Sequence, residues 1–236
     1  MAPAKARVAG DMADLTLAGD PPITVALRRN GRARRLTLRV SGLDGSVTLT
    51  VPPHVPCAEA HDFARSREDW LRDRLGAVTG PSAVAAGTVL PVEGVPTRLV
   101  LAPSTRLTHE DGEISAASPG AVQAYLRHLA RDRLTAAVDR HTSTLGRRAT
   151  AIALRDPRSR WGSCSSAGRL MFSWRLVLAP PAILDYVAAH EVAHLVHMDH
   201  SRAFWDVVAR LCPAHAAERA WLRREGAALH RWRFGH

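Results

Sequence analysis

Between Pro180-Pro181 and Pro213 the chain reads as two consecutive helices, and the first carries His190-Glu191-Val192-Ala193-His194. Pro180-Pro181 suits a first helical turn, and Ile183, Leu184, Val187, Ala188, Val192 and Leu195 give this helix an apolar side. Residues four apart lie one turn apart on the same face, so His190 and His194 converge while Glu191 flanks them. Two neutral imidazoles at this spacing are ligands for a divalent metal, and a catalytic zinc site needs a third protein ligand plus an open position. Glu191 sits too near His190 in sequence to share its direction. It is placed instead to act as general base on the attacking water.

The third ligand has to be found downstream. His197 continues the same helix face, but seven residues at about 1.5 Å each carry it about 10 Å along the axis, too far to share a metal with His190. A ligand must return over the helix end, which needs a turn. Met198-Asp199 supplies one, Ser201 caps a new helix over 202–211, and His200 stands at the junction. His200 is therefore preferred over His197. Glu218 on a later helix is a further option, ranked lower because it leaves His200 unexplained. Asp185 and Asp199 are candidates for orienting a ligand imidazole.

The rest of the chain frames this segment. Residues 1–20 are small, polar and unpatterned and read as a mobile tail. Three runs then alternate with period two: Ile23, Val25 and Leu27; Leu36, Leu38 and Val40; Val47, Leu49 and Val51. Asn30-Gly31 and Asp44-Gly45 separate them, which predicts a small antiparallel sheet. One amphipathic helix is expected over 57–75, with Phe63, Trp70, Leu71 and Leu75 on its apolar side, and a linker from Gly76 to Gly87. Short strands follow around 89–92 and 98–101, then a turn-rich stretch to Gly120, a helix over 121–141 and a strand starting at 151–154. The run 169–178 reads as one longer strand with Leu170, Phe172, Trp174 and Leu176 on one face.

Composition limits the setting. The 236 residues carry a formal charge of +10, and of 32 basic residues only Lys5 is a lysine. Residues 1–150 hold 20 basic and 15 acidic groups and residues 151–236 hold 12 and 7, so no single block carries the excess. An arginine-rich vocabulary of this kind also reads as a solvated surface. The densest cluster, Arg28 to Arg39, suits a weak association with nucleic acid. No run of about 18 uncharged apolar residues suggests a membrane span, and no secretory h-region opens the sequence. Cys57, Cys164 and Cys212 are odd in number and widely spaced, which points to a reducing cytoplasm. Cys164 and Cys212 read as structural thiols.

A resemblance adds to this reading. The stretch from Arg160 to Pro213 resembles the YgjP-like zinc metallopeptidases, relatives of the SprT-like group. The residues that carry it are Trp161-Gly162-Ser163-Cys164, Trp174-Arg175-Leu176, Leu178-Ala179-Pro180-Pro181, the HEVAH segment, His200-Ser201 and Phe204-Trp205. The N-terminal strands and the Trp70 helix extend it over residues 22–225, and Ser173 departs from an asparagine frequent in the family. The resemblance implies a zincin-like (minimal gluzincin/metzincin-type) catalytic domain with one Zn2+ per chain, held by His190, His194 and His200. Glu191 is implied to be the catalytic carboxylate.

The expected fold is α+β: a β-rich module with one helix over residues 21–118, then the zincin-like domain over 119–236. The expected function is zinc-dependent hydrolysis of peptide bonds in a protein or peptide substrate, with Glu191 moving the proton to the leaving amine. The strand Arg169–Trp174 is the candidate to pair with an extended peptide. Arg158, Arg160 and Tyr186 are candidate contacts to the oxyanion or substrate. Phe204, Trp205, Val208 and Leu211 are spaced to pack the last helix onto the metal helix. Two rivals keep a metal. One is a nucleotide phosphohydrolase with arginines clamping phosphate, disfavoured because no phosphate-cradling Gly-rich loop is present. The other is a basic nucleic-acid adaptor whose metal is structural, for which His197 as a fourth ligand would be the sign.

Overall fold

The computed structural model describes residues 14–42, 44–76, 80–103 and 106–235. They form two compact units, 1–81 and 82–236. The division falls at Pro81/Ser82 and not at the expected 118/119, because the strands after Val89 pack into the core of the second unit.

In the first unit, β1 (Leu15–Leu17), β2 (Ile23–Arg29), β3 (Thr37–Val40) and β4 (Val47–Val51) form a sheet of order β1-β2-β4-β3. The expected tail thus contains a strand at Leu15–Leu17, whose alternate leucines are buried; its residues 1–13 lie outside the described residues. The expected antiparallel order is also corrected. Asn30 does close a turn onto Ala33, at 3.0 Å, but β3 does not return beside β2. Instead β4 inserts between them, parallel to β2 and antiparallel to β3. Val25, Leu27, Leu49 and Val51 are fully buried on one face. Two helices, α1 (Cys57–Arg65) and α2 (Glu68–Gly76), add Ala60, Ala64 and Leu71 to that core. The single helix expected over 57–75 is thus interrupted at Ser66-Arg67, where Ser66 Oγ donates to the Phe63 carbonyl at 2.8 Å. Such a local bond competes with helix continuation.

The second unit opens with β5 (Ser82–Ala83), followed by β6 (Val89–Val92), β7 (Val95–Leu101), β8 (Thr108–Glu110) and β9 (Glu113–Ala116). The last four form a sheet of order β6-β7-β9-β8. The long α3 (Pro119–Leu145) is capped by Ser118 at its start and by Gly146, with φ of 60°, at its end. It buries Val122, Leu126, Ala130, Leu134 and Val138 in one stripe, and this core continues through the rest of the unit. A second sheet, of order β10-β12-β11, comprises β10 (Ala151–Arg155), β11 (Gly162–Cys164) and β12 (Arg169–Ser173). Beyond Ser173 the expected long strand becomes a 3-10 turn, Trp174–Leu178, in which all five residues are buried. Then come α4 (Pro181–Ala193), α5 (Arg202–Leu211), α6 (His215–Glu225), a 3-10 turn over Gly226–His230, and β13 (Trp232–Arg233), which pairs parallel with β5. No helix among the described residues is long and apolar enough to cross a membrane.

An ion pair ties the 3-10 turn to the C-terminal segment. Arg175, 4% exposed, donates to both carboxylate oxygens of Asp156 at 2.7 and 3.0 Å. Its other amino group donates to the Leu229 and Trp232 carbonyls, each at 3.1 Å. Burial opposes the Asp156 charge, but the Arg175 hydrogen bonds and charge outweigh it and hold the carboxyl below its ordinary range. His230 lies beside this pair with its ring 4.8 Å from that of Trp161. Burial, and then Arg175, push its imidazole down to about 4.

A pH dependence of stability follows. The unfolded chain protonates its histidines near pH ~6.5, whereas native His230 stays neutral until about 4. Between these values the unfolded state binds the extra proton, so stability falls as pH falls across the window and is flat above it. The expected loss is about 1–2 kcal/mol, read as a melting temperature that drops more between neutral and mildly acid pH than in His230→Gln. Parallel curves for the two proteins would contradict it.

Candidate metal centre

The site is built by the end of one helix and the start of the next. Helix α4 begins with proline at its first position and carries Ala188, Ala189 and Val192 fully buried, so its inner face is fixed by packing. His190 and Glu191 lie in the last turn, and His194 is the C-cap. The chain then turns, with Asp199 Oδ1 accepting from Ser201 N at 3.0 Å. Ser201 Oγ accepts from Phe204 N at 3.4 Å to start α5. A serine cap of this kind is worth about 1 kcal/mol, and here it also sets the backbone immediately after His200.

The turn brings His200 back over the helix end. One ring nitrogen from each of His190, His194 and His200 lies within 4.8 Å of the others. His190 Nε2 and His200 Nε2 are 3.3 Å apart. Two nitrogens on one tetrahedral zinc with bonds near ~2.05 Å would be separated by about 3.4 Å. His194 Nδ1 donates to the His197 carbonyl at 2.9 Å, which directs Nε2 to the cluster. His197 thus contributes its carbonyl, and its ring is not among the three. Phe204, fully buried, stacks on the His194 ring at 4.4 Å, and Trp205 lies 5.7 Å from the ring of His190. Burial, then His194, His200 and Arg219, lower the His190 pKa to about 3, and burial also lowers that of His194. Neutral imidazoles result, the form a metal binds. The C-terminal end of α4 adds the negative end of its dipole, which favours a cation at this position.

Glu191 is 5% exposed, and its Oε2 has no hydrogen-bond partner among the described residues. Burial raises its pKa to about 7, with the Arg160 charge pulling the other way. A buried, unpaired carboxyl is costly by itself and is better accounted for by a proton or cation supplied from the cleft. A Cβ on Gly162 would lie 2.5 Å from Glu191 Oε1, so the backbone of β11 rests directly on this side chain and only glycine fits. The cleft, about 260 Å3, is lined by Arg160, Gly162, Ser163, Cys164, the three imidazoles, Glu191 and Met198.

The remaining sequence candidates divide. Arg160 lines the cleft. Tyr186, buried, sits one turn before His190 with ring centroids 6.0 Å apart. Arg158 is exposed and does not line the cleft; its charge acts on His230. Glu218 is outside the imidazole cluster. Asp185 accepts from His141 Nε2 and Arg140, at 3.0 and 2.8 Å, and orients none of the three imidazoles. The strand expected to pair with substrate, β12, has both edges occupied by β10 and β11, so that expectation is corrected: the edge strand beside Glu191 is β11. Cys164, read from sequence as a structural thiol, is half-buried and lines the cleft from this edge strand. Gly162 was legible only as part of the Trp161-Gly162-Ser163-Cys164 motif, because its function depends on what packs against it.

A cluster of three imidazoles in an open cleft, on an α+β scaffold, has the make-up of a metal-binding protein. The chain belongs to the YgjP-like metallopeptidase family, whose description "YgjP-like, metallopeptidase domain" matches residues 34–225. The family implies a metal ion, which the cluster of His190, His194 and His200 is able to bind. No curated protein matches the chain. The crystal structure of the metallopeptidase zymogen of Pyrococcus abyssi abylysin is similar over 39% of this chain and 92% of its own, at 20% identity and a TM-score of 0.35.

Proposed function

We propose that the second unit is a zincin-like domain that hydrolyses peptide bonds with one Zn2+ held by His190, His194 and His200. The observation that carries this reading is the convergence of three imidazole nitrogens beside a buried, unpaired carboxylate. Three ligands rather than four leave a position open, as catalysis requires and a structural site does not. A zinc ion bound there polarises a peptide carbonyl and lowers the pKa of water. Glu191, adjacent in sequence to the first ligand, takes the proton from the attacking water and delivers it to the leaving amine. The substrate peptide lies extended beside β11, whose outer edge offers backbone groups for strand addition. Arg160, at the cleft and close enough to Glu191 to act on its charge, is the arginine best placed to steady developing negative charge. Tyr186, 6.0 Å from the His190 ring, is a positioning residue.

The test is metal content per chain by elemental analysis, on protein purified without chelator or a histidine tag, alongside cleavage of an unfolded protein substrate. About one zinc per chain is expected, with His200→Ala losing most of the metal and all of the cleavage. Protein that stays metal-free after incubation with zinc would sink the reading.

A further inference from the structure

We infer that the open face of the first unit's sheet binds double-stranded nucleic acid through its phosphates. The inward face of this sheet is covered by α1 and α2, and the outward face carries a different chemistry. The register pairs Arg28 with Thr50 and Thr50 with Thr37, and in the next row Ala26 with Thr48 and Thr48 with Arg39. A central threonine column on β4 is thus flanked by arginines on the strands to either side, β2 and β3. At about 4.8 Å between strands and about 3.3 Å per residue, Arg28 and Arg39 are anchored about 12 Å apart, comparable to the width of a DNA groove. Arg32, Arg34 and Arg35 extend the patch in the loop that follows β2, and all five arginines are exposed, whereas Arg29 belongs to the Val51 row of the covered face and donates to the Pro53 carbonyl at 2.8 Å.

The carboxylates nearest this face lie toward the start of β2, where Asp14 and Asp44 line a cleft with Thr24 and Ala26. No carboxylate occurs from residue 21 to residue 43. Phosphodiesters are the partner that an array of guanidinium groups and hydroxyls fits. A membrane surface would require apolar side chains to insert beside the charges, and a single strand would be held by aromatic stacking. Phe63 and Trp70, the aromatic rings (Phe, Trp, Tyr) of the unit, lie on α1 and α2, the other side of the sheet. A duplex, which presents phosphates and hides its bases, needs neither.

The experiment is fluorescence anisotropy of the full chain with labelled duplex DNA and duplex RNA of about 20 base pairs, over about 50 to about 200 mM salt. Five phosphate contacts give a slope of log affinity on log salt of about −4.5, a loss of about five hundredfold across that range. Combined Arg32→Glu, Arg34→Glu, Arg35→Glu and Arg39→Glu is expected to weaken binding at least tenfold, to bring the slope nearer about −1, and to leave peptidase activity unchanged. The same reversal at Arg127, Arg131, Arg147 and Arg148, exposed on the second unit, is expected to spare most of the binding. Should the first variant misfold by circular dichroism, Arg34→Ala and Arg35→Ala singly are each expected to reduce the slope by about 1. Preference between the two duplexes identifies the nucleic acid. The inference is overturned by absence of duplex binding at the lowest salt, by a flat salt dependence, or by equal losses in the two charge-reversed proteins. Tighter binding to a single strand, or to phosphatidylserine vesicles in place of duplex, overturns it as well.

Discussion

Glu191→Gln is expected to lower the rate of peptide hydrolysis by about a thousandfold or more while leaving the protein folded and loaded with metal. General acid–base catalysis contributes about 10²–10⁴ to a rate, and in the proposed reaction this carboxyl moves the proton in both halves. Glutamine keeps nearly the same volume, which matters because the backbone of Gly162 rests on this side chain and a Cβ there would lie 2.5 Å from Oε1. The amide supplies no base. Because the carboxyl is buried and its Oε2 has no partner among the described residues, removing its charge costs the fold little. The measurements are kcat and KM on an unfolded protein substrate, with metal content on the same sample. Full activity in a metal-loaded Glu191→Gln protein would eliminate the proposed mechanism, whereas loss of activity with loss of metal would mean that the residue holds the site together.

Arg175→Met is expected to be the most damaging substitution away from the cleft. It leaves the Leu229 and Trp232 carbonyls without their shared donor and Asp156 without its partner. Asp156, whose side chain is 37% exposed, regains water, so the cost comes from the two carbonyls left without a donor, about 2–4 kcal/mol together. For a domain of this size that is a fall of about 10 °C in melting temperature. Arg140, whose side chain is 62% exposed where it meets Asp185 at 2.8 Å, provides the contrast. Arg140→Ala should cost no more than about 1 kcal/mol. Thermal denaturation of the two variants side by side would refute the expectation if their midpoints fell together.

The metal cluster was more legible in the sequence than the fold around it. The spacing of His190 and His194 on an apolar helix, the reach argument against His197, and the turn at Met198-Asp199 all follow from helix geometry, and the three rings do meet. The strands of the first unit were legible from alternation, but their partners were not. A period of two looks the same in parallel and antiparallel strands, so nothing in Ile23–Arg29 announces that β4 will lie beside it in parallel. The run Trp174–Leu178 misled for a related reason. All five residues are buried, and a segment buried all round carries no period to separate a strand from a tight helix. Arg175 was hidden by type, since arginine is rarely buried without partners that only the tertiary structure reveals. Likewise β11 and Gly162 belong to the site because of what lies against them.

The pairing of β5 with β13 has a topological consequence. The second unit starts and finishes on adjacent strands, so its path is a ring in which about 150 residues leave from one place and return to it. Arg175 fastens the returning end through the Leu229 and Trp232 carbonyls. A ring of this kind is suited to circular permutation: the two ends can be joined by a short linker and new ones opened at an exposed turn such as 146–148. Its imidazole cluster would pass unchanged through the rearrangement, since all three histidines lie on one short arc far from the cut.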